Sequence, residues 1–510
     1  MAAILLLGIA LAVACTEGSP TGVGRRADPL ATTPTTPSTS MGEDTSPTST
    51  STSTSPVTTA PPTTPASPSI EPVEPTLGVG DTLFPGLGSS DIDVVSYDVA
   101  LTYDPTTDQL AGTVSVELRL LVDADTVPLD ATDLAVTSVT VDGDEAQWSA
   151  PGHELLVELP EAKAAGSTIN VDVTYDAPSR LRSVEIGFPV GWYDTVDGSY
   201  ALNEPDGASA WLPVSDHPSD KATWRFELTV PEGTTAVANG ELLDEIHGED
   251  GVTWIWEESE PMTSYAILLL TGDYEVVEGG SAAGVDLVHA VLRSSLDALE
   301  TYEAVTRDQL EYFVEWFGPY PFRTYGLALT ESFPGFAMET QGRSLFSDLD
   351  FDGTLDHVQH LLLAHELAHQ WFGNAVSPDR WTDMWLNEGF ATYGEWMWLD
   401  EVGIQPLSTA AEMALLGQQG SPIAVDSPTV DQLFGTGVYK GGAMVLHALR
   451  LEVGDDAFFR ILREWVARYT GSSATSDDFR SLSAEVAGRD LDDFFDAWLS
   501  APDPPDAYPG

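Results

Sequence analysis

Residues 365–388 read HELAHQWFGNAVSPDRWTDMWLNE, and the rest of the chain is organised around them. His365 and His369 stand four positions apart, so a helix projects both imidazoles from one face, where two nitrogens can meet a single zinc ion. The flanking residues support that helix. Leu355, Val358, Leu361, Leu362, Ala368 and Phe372 recur on the stripe that carries the histidines. Asp352 or Thr354 is placed to cap its start, and Gly373 to end it. Eighteen residues separate His369 from Glu388, room for a loop and for a second helix, from about residue 382 to Gly403, that returns a carboxylate as third ligand. Two His, one Glu and an open position for water describe a catalytic zinc site, because a structural site is closed by four protein ligands. HExxH by itself also arises by chance in surface helices, and the downstream Glu388 favours the metal.

The chain has 510 residues, 42% of them apolar, enough for two or three domains with sizeable cores, which excludes a wholly disordered protein. Acidic residues outnumber basic ones 81 to 20, a formal charge of −61. Such a field repels nucleic acid and anionic lipid, so neither is expected as a direct partner; it suits solubility outside the cell. Residues 1–14 are an apolar run, shorter than the roughly 20 residues of a membrane-spanning helix, and they read as an export signal. The single cysteine, Cys15, follows at once in LAVAC. This resembles the processing site of bacterial lipoproteins, although no Lys or Arg precedes the run and Ala12 stands where Leu is more usual. The expectation is export and lipid anchoring through Cys15 on the outer face of a bacterial cell membrane, or otherwise secretion. One cysteine permits no internal disulfide. Residues 16–85, rich in Thr, Ser and Pro, bury too little apolar surface to offset their ordering entropy, and a disordered spacer is expected.

Alternation of period two begins near residue 96. Tyr97, Val99, Leu101 and Tyr103 share one face, as do Val114, Val116, Leu118 and Leu120 after the turn-rich DPTTDQLAG, which predicts a hairpin. Further strand patterns at 136–141, 155–159, 169–175, 224–230, 253–256 and 265–270 predict an all-β domain of sandwich or saddle type over residues 86–285. From residue 297 the period becomes helical, and Gly318-Pro319 ends the first run. A short β-like piece at 325–330 leads to the zinc helices, and further helices are expected at about 439–453, 455–469, 476–486 and 491–499. The second domain therefore spans 286–500 and is mainly α-helical, with 501–510 as a tail.

Four elements together resemble the aminopeptidase N family of zinc metallopeptidases, which includes the leukotriene hydrolase, over about residues 90–500. They are HELAH with Glu388 in WLNEGFATY, then FAMET, YKGGA and NEPDGASAWLPVSDHPSDKATW. The resemblance implies an N-terminal β domain on a thermolysin-like catalytic domain, in a short form without the large helical C-terminal domain of longer members. A more open cleft with wider tolerance of peptide length is the corollary. One Zn2+ per chain is implied on His365, His369 and Glu388, with Glu366 as general base and Tyr439 supporting the tetrahedral oxyanion. Glu339 of FAMET is implied to pair with the free α-ammonium of a substrate, Glu204 to join it at the same subsite, and Ala337 and Met338 to line the substrate. The implied partners are peptides with a free N-terminus, and the expected state is a monomer. Phe336 and Thr340 depart from the Gly and Asn of the family's Gly-Ala-Met-Glu-Asn element, and Leu202 stands where many members have Gln. These departures bear on the first-residue preference. His357 and His360 are expected to cap or pack, and neither they nor His217 is assigned to metal. The alternatives are a zinc endopeptidase or other hydrolase on the same scaffold, and a surface-displayed binding protein with a decayed site.

Overall fold

The computed structural model describes residues 74–510 apart from 108, 179, 184, 185, 187, 188, 197, 333 and 334. The expected export signal, the expected lipid anchor at Cys15 and the expected linker up to residue 73 lie outside the described residues. Tyr97, Val99, Leu101 and Tyr103 are all buried, because Ile92–Asp104 is a pleated strand with alternate side chains on one face. It lies between Gln109–Leu120, its antiparallel hairpin partner, and Ala222–Val230, alongside which it runs parallel. These three form the middle of an eight-stranded sheet. Gly251–Met262 and Glu241–Gly248 extend it on one side, and Thr168–Asp176, Ala135–Val141 and Asp144–Glu145 on the other. A five-stranded sheet contains Gly198–Leu202, the strand that feeds the buried loop carrying Glu204, and a three-stranded sheet completes this β-rich part. Large rings fill the core: Tyr97 stacks on Trp224 at 4.0 Å, and Trp192 meets Trp211 edge-on at 5.8 Å.

The β domain ends before residue 285. Tyr274–Ala282 and Val285–Leu292 pair with each other and join Leu327–Thr330, Ser344–Ser347 and Ala337–Met338 in a six-stranded sheet of the second domain, to which Thr324–Tyr325 also belongs. Alternation identifies a strand, whereas its sheet is decided by partners distant in the chain. The strand expected at 265–270 is divided: Ser264–Ala266 is a 3-10 turn, and only Leu269–Gly272 pairs.

The expected disordered spacer also stops short of residue 85. Thr76 N–H donates to Asp91 Oδ2 (2.6 Å), and the buried Asp81 carboxylate accepts N–H groups from Leu83 (2.7 Å), Phe84 (2.9 Å) and Trp381 (2.7 Å). The Asp91 carboxylate thus ties the segment to the β domain and the Asp81 carboxylate ties it to the second domain, charge-assisted anchors that composition does not register.

Seven principal helices build the second domain: α1 (Leu296–Phe317), α2 (His357–Ala368), α3 (Trp385–Glu401), α4 (Leu407–Gly420), α5 (Thr436–Val453), α6 (Asp455–Tyr469) and α7 (Ser476–Ala487). Helix α4 has no counterpart in the sequence reading, because Met413 and Leu416 lie exposed and blur its apolar period. The tail is docked as well. Tyr508 donates to the Ala411 carbonyl (2.7 Å) and stacks on Trp498 at 5.3 Å. Among the described residues no helix is long and apolar enough to cross a membrane.

Candidate active site

Helix α2 is capped by Asp356, whose carboxylate accepts the Val358 N–H (2.8 Å) while Gln359 Oε1 accepts the Asp356 N–H (3.0 Å). This corrects the expected cap at Asp352 or Thr354; Asp352 instead closes a local turn on Thr354. His365 lies in the last turn, and His369 follows with φ −57° and ψ −24°, close enough to helical for both rings to face the same way. Helix α3 brings Glu388 back in its first turn. The helices cross closely, since a Cβ on Gly394 would lie 2.9 Å from that of Ala368.

Three donor atoms converge. His365 Nε2 lies 3.0 Å from His369 Nε2 and 3.1 Å from Glu388 Oε2, and His369 Nε2 lies 3.5 Å from that oxygen. Neighbouring ligands around a tetrahedral Zn2+ with bonds of about 2.0–2.1 Å sit roughly 3.3 Å apart, so these residues fit the ion. Both rings are held from behind. His365 Nδ1–H donates to Glu395 Oε1 (2.6 Å) and His369 Nδ1–H to the Phe372 carbonyl (3.1 Å), which leaves each Nε2 lone pair directed inward. Glu395 was missed in the sequence, although its position seven residues after Glu388 places both on one face of α3.

The remaining expected residues gather at this point. A donor atom each from Glu339, Glu366 and His369 lie within 4.8 Å of one another, as do those from Glu204, Glu339 and Glu388. Burial pushes Glu366 up to about 8, against the pull of the two imidazoles. Burial likewise raises Glu339 and Glu204, the latter also through the charges of Glu339 and Glu388. In Glu388 the imidazoles overcome burial and hold the carboxyl at about 2. Glu204 Oε1 and Glu339 Oε1 are buried with no hydrogen-bond partner among the described residues. Tyr439, near the start of α5, lays its ring parallel to that of His365, 5.8 Å away. Burial first, then Glu388 and Glu204, lifts its hydroxyl well above the usual range, so it stays a proton donor.

Ala337 and Met338 form the outer strand of the six-stranded sheet, paired on one side with Ser344–Ser347. The three departures engage the protein itself. Phe336 packs its ring 5.7 Å from Tyr200, Thr340 Oγ1 donates to the Arg343 carbonyl, and Leu202 is buried in its sheet. His360 accepts from Trp398 Nε1 (3.2 Å), and His217 bonds Ser219 (2.8 Å), in keeping with packing roles. Sequence reasoning also passed over Tyr265, whose hydroxyl bridges Asn387 and the Gly373 carbonyl behind the ligands at 3.1 Å each.

Two family descriptions match the chain: the Peptidase M1 N-terminal domain over residues 94–266 and the Peptidase family M1 domain over residues 301–498. A leucyl aminopeptidase of Saccharolobus solfataricus is 25% identical over 434 residues, covering 81% of this chain and 54% of its own. An aminopeptidase N of Lactococcus lactis is 29% identical over 412 residues, covering 74% and 47%. The chain spans about half the length of the curated relatives it matches. An M1 zinc metallopeptidase from Deinococcus radiodurans superposes with a TM-score of 0.78 at 29% identity, covering 85% of this chain and 99% of that one. A variant of that enzyme has been crystallised with a Tyr-Ser-Ala substrate.

Proposed function

Because the chain belongs to the M1 peptidase family, we propose that it is a zinc aminopeptidase that removes N-terminal residues from peptides. The observation that carries this reading is the pair of buried carboxylates, Glu204 and Glu339, each offering an unpartnered oxygen beside the metal ligands. A free α-ammonium satisfies both, whereas the interior of a longer chain brings no such charge. His365, His369 and Glu388 would hold Zn2+, which would supply Lewis-acid activation of water and of the scissile carbonyl.

The protein's own groups do the rest. Glu366 takes the proton of the attacking water and returns it to the leaving amine, a role worth typically ~10²–10⁴-fold. Tyr439 donates its hydroxyl hydrogen to the developing oxyanion. The free edge of Ala337–Met338 receives the substrate backbone as an added strand. Glu395 and the Phe372 carbonyl keep both imidazoles in register throughout.

The test compares initial rates on aminoacyl chromogenic amides and their N-acetylated counterparts, with the protein as purified, after chelation, and after zinc is restored. Free-amine substrates are expected to be cleaved, acetylated ones spared, and zinc alone to restore the chelated sample. Glu366→Gln is expected to keep the metal and lose the rate by about 10²–10⁴-fold. Cleavage of acetylated substrates at equal rates, or full activity of that variant, refutes the reading.

A further inference from the structure

Glu204 and Glu339 reach the site from different domains, so their spacing depends on how the β domain is tied to the zinc domain. Asn239 Nδ2 to the Gln341 carbonyl (2.9 Å) and Arg343 to the Ala238 carbonyl (2.8 Å) tie the loop after Glu339, and Lys221 ties the loop after α2. Lys221 immediately precedes the strand Ala222–Val230, seventeen residues after Glu204, and its Nζ donates to the carbonyls of Asn374 (2.6 Å) and Ala375 (3.2 Å) in the loop that follows α2. Both bonds go to main-chain oxygens and neither to a carboxylate, so the lysine acts on backbone position. The Ala375 carbonyl also accepts the Gly471 N–H (2.8 Å), which joins a third segment to the same point.

The contact passes through Asn374 to the backbone of Glu339. Asn374 is fully buried; its Nδ2 donates to the Glu339 carbonyl (2.5 Å) and its backbone N–H to the His369 carbonyl (2.9 Å). Gln370 Nε2 makes a longer bond to the same Glu339 oxygen (3.3 Å), too weak a contact to fix it alone. The imidazole rings have side-chain and carbonyl supports of their own, His365 in Glu395 and His369 in the Phe372 carbonyl.

We propose that Lys221 is a positioning residue for amine recognition, a strut between the domains that acts through Asn374 to set Glu339 opposite Glu204. The proposal rests on the reading that these two carboxylates hold the substrate's α-ammonium. Without the strut, Glu339 drifts from the ammonium while the metal stays, so ground-state and transition-state binding weaken together. Uniform weakening appears in KM with kcat unchanged, whereas general structural damage lowers the active fraction and hence kcat.

The experiment measures kcat, KM and zinc content of the holoenzyme on an aminoacyl chromogenic amide for the wild type, Lys221→Met, Asn374→Ala and the double variant. Each single change is expected to raise KM by about tenfold with kcat within roughly threefold and zinc unchanged. The double variant is expected to be no worse than the worse single one, because both remove the same connection. Unchanged KM in the singles, or effects that multiply in the double, overturns the strut while wild-type cleavage of free amines leaves the aminopeptidase reading standing. If Lys221→Met yields no folded enzyme, Asn374→Ala decides alone, since the strut acts through it. A wild type inactive on free amines removes both proposals.

Discussion

Replacing Glu339 by Gln keeps the side chain's size and removes one of the two charges that face the substrate's ammonium. The structure sets the scale of the effect. Glu339 is 3% exposed and its Oε1 has no partner among the described residues, so a charge pair formed there would be largely desolvated. Truncating one member of a buried, hydrogen-bonded charge pair costs about 2–5 kcal/mol, or roughly 30- to 4,000-fold in kcat/KM at 1.4 kcal/mol per decade. Glu204 remains and keeps the ammonium from being left unpaired, which places the single change towards the lower end, about 30–100-fold. The double change with Glu204→Gln is expected towards the upper end. Glu339 also repels Glu388, so the variant's thermal midpoint is expected to stay level or rise. The assay is kcat/KM on an aminoacyl amide and on its N-acetyl form, with zinc content as control. A loss under about threefold on the free amine, or an equal loss on both substrates, refutes the assignment.

Other consequences can be measured directly. Glu395→Leu loses the acceptor that fixes His365, and zinc affinity is expected to fall by about 10–100-fold in competition with a chelator; unchanged affinity refutes the supporting role. Tyr439→Phe is expected to lower kcat by about 10²–10³-fold at unchanged metal content, and undiminished turnover removes it from the chemistry. Gly389→Ala is expected to destabilise the fold by about 1–3 kcal/mol, seen as a lower thermal midpoint, because its Cβ would lie 2.7 Å from Gly442 Cα where α3 and α5 cross. Gly442 lies one turn beyond Tyr439, so the same change is expected to lower turnover as well.

The convergence of His365, His369 and Glu388 was legible because their spacing is local: a four-residue step on one helix and a return of eighteen residues leave few geometries. The hairpin at the start of the β domain was legible for a similar reason, its alternation being set by a face that packs on one core. Glu339 and Glu204 could be reached only through the resemblance of FAMET and NEP to family elements. No local period brings a β-domain loop beside a strand more than a hundred residues later.

Chain order thus carried the elements with short-range periodicity, the grouping of His365, His369 and Glu388, and the division into a β part and a helical part. The tertiary structure alone decided what depends on distant partners: that residues 274–292 join the second domain's sheet, that Asp81 pins the start of the fold to Trp381, and that Glu395 stands behind His365. It alone decided that Lys221 meets the carbonyls after the zinc helix. The physical reason is that a hydrogen bond or a buried charge is satisfied by whichever group the fold delivers, and chain order carries no mark of that group until the backbone has closed around it.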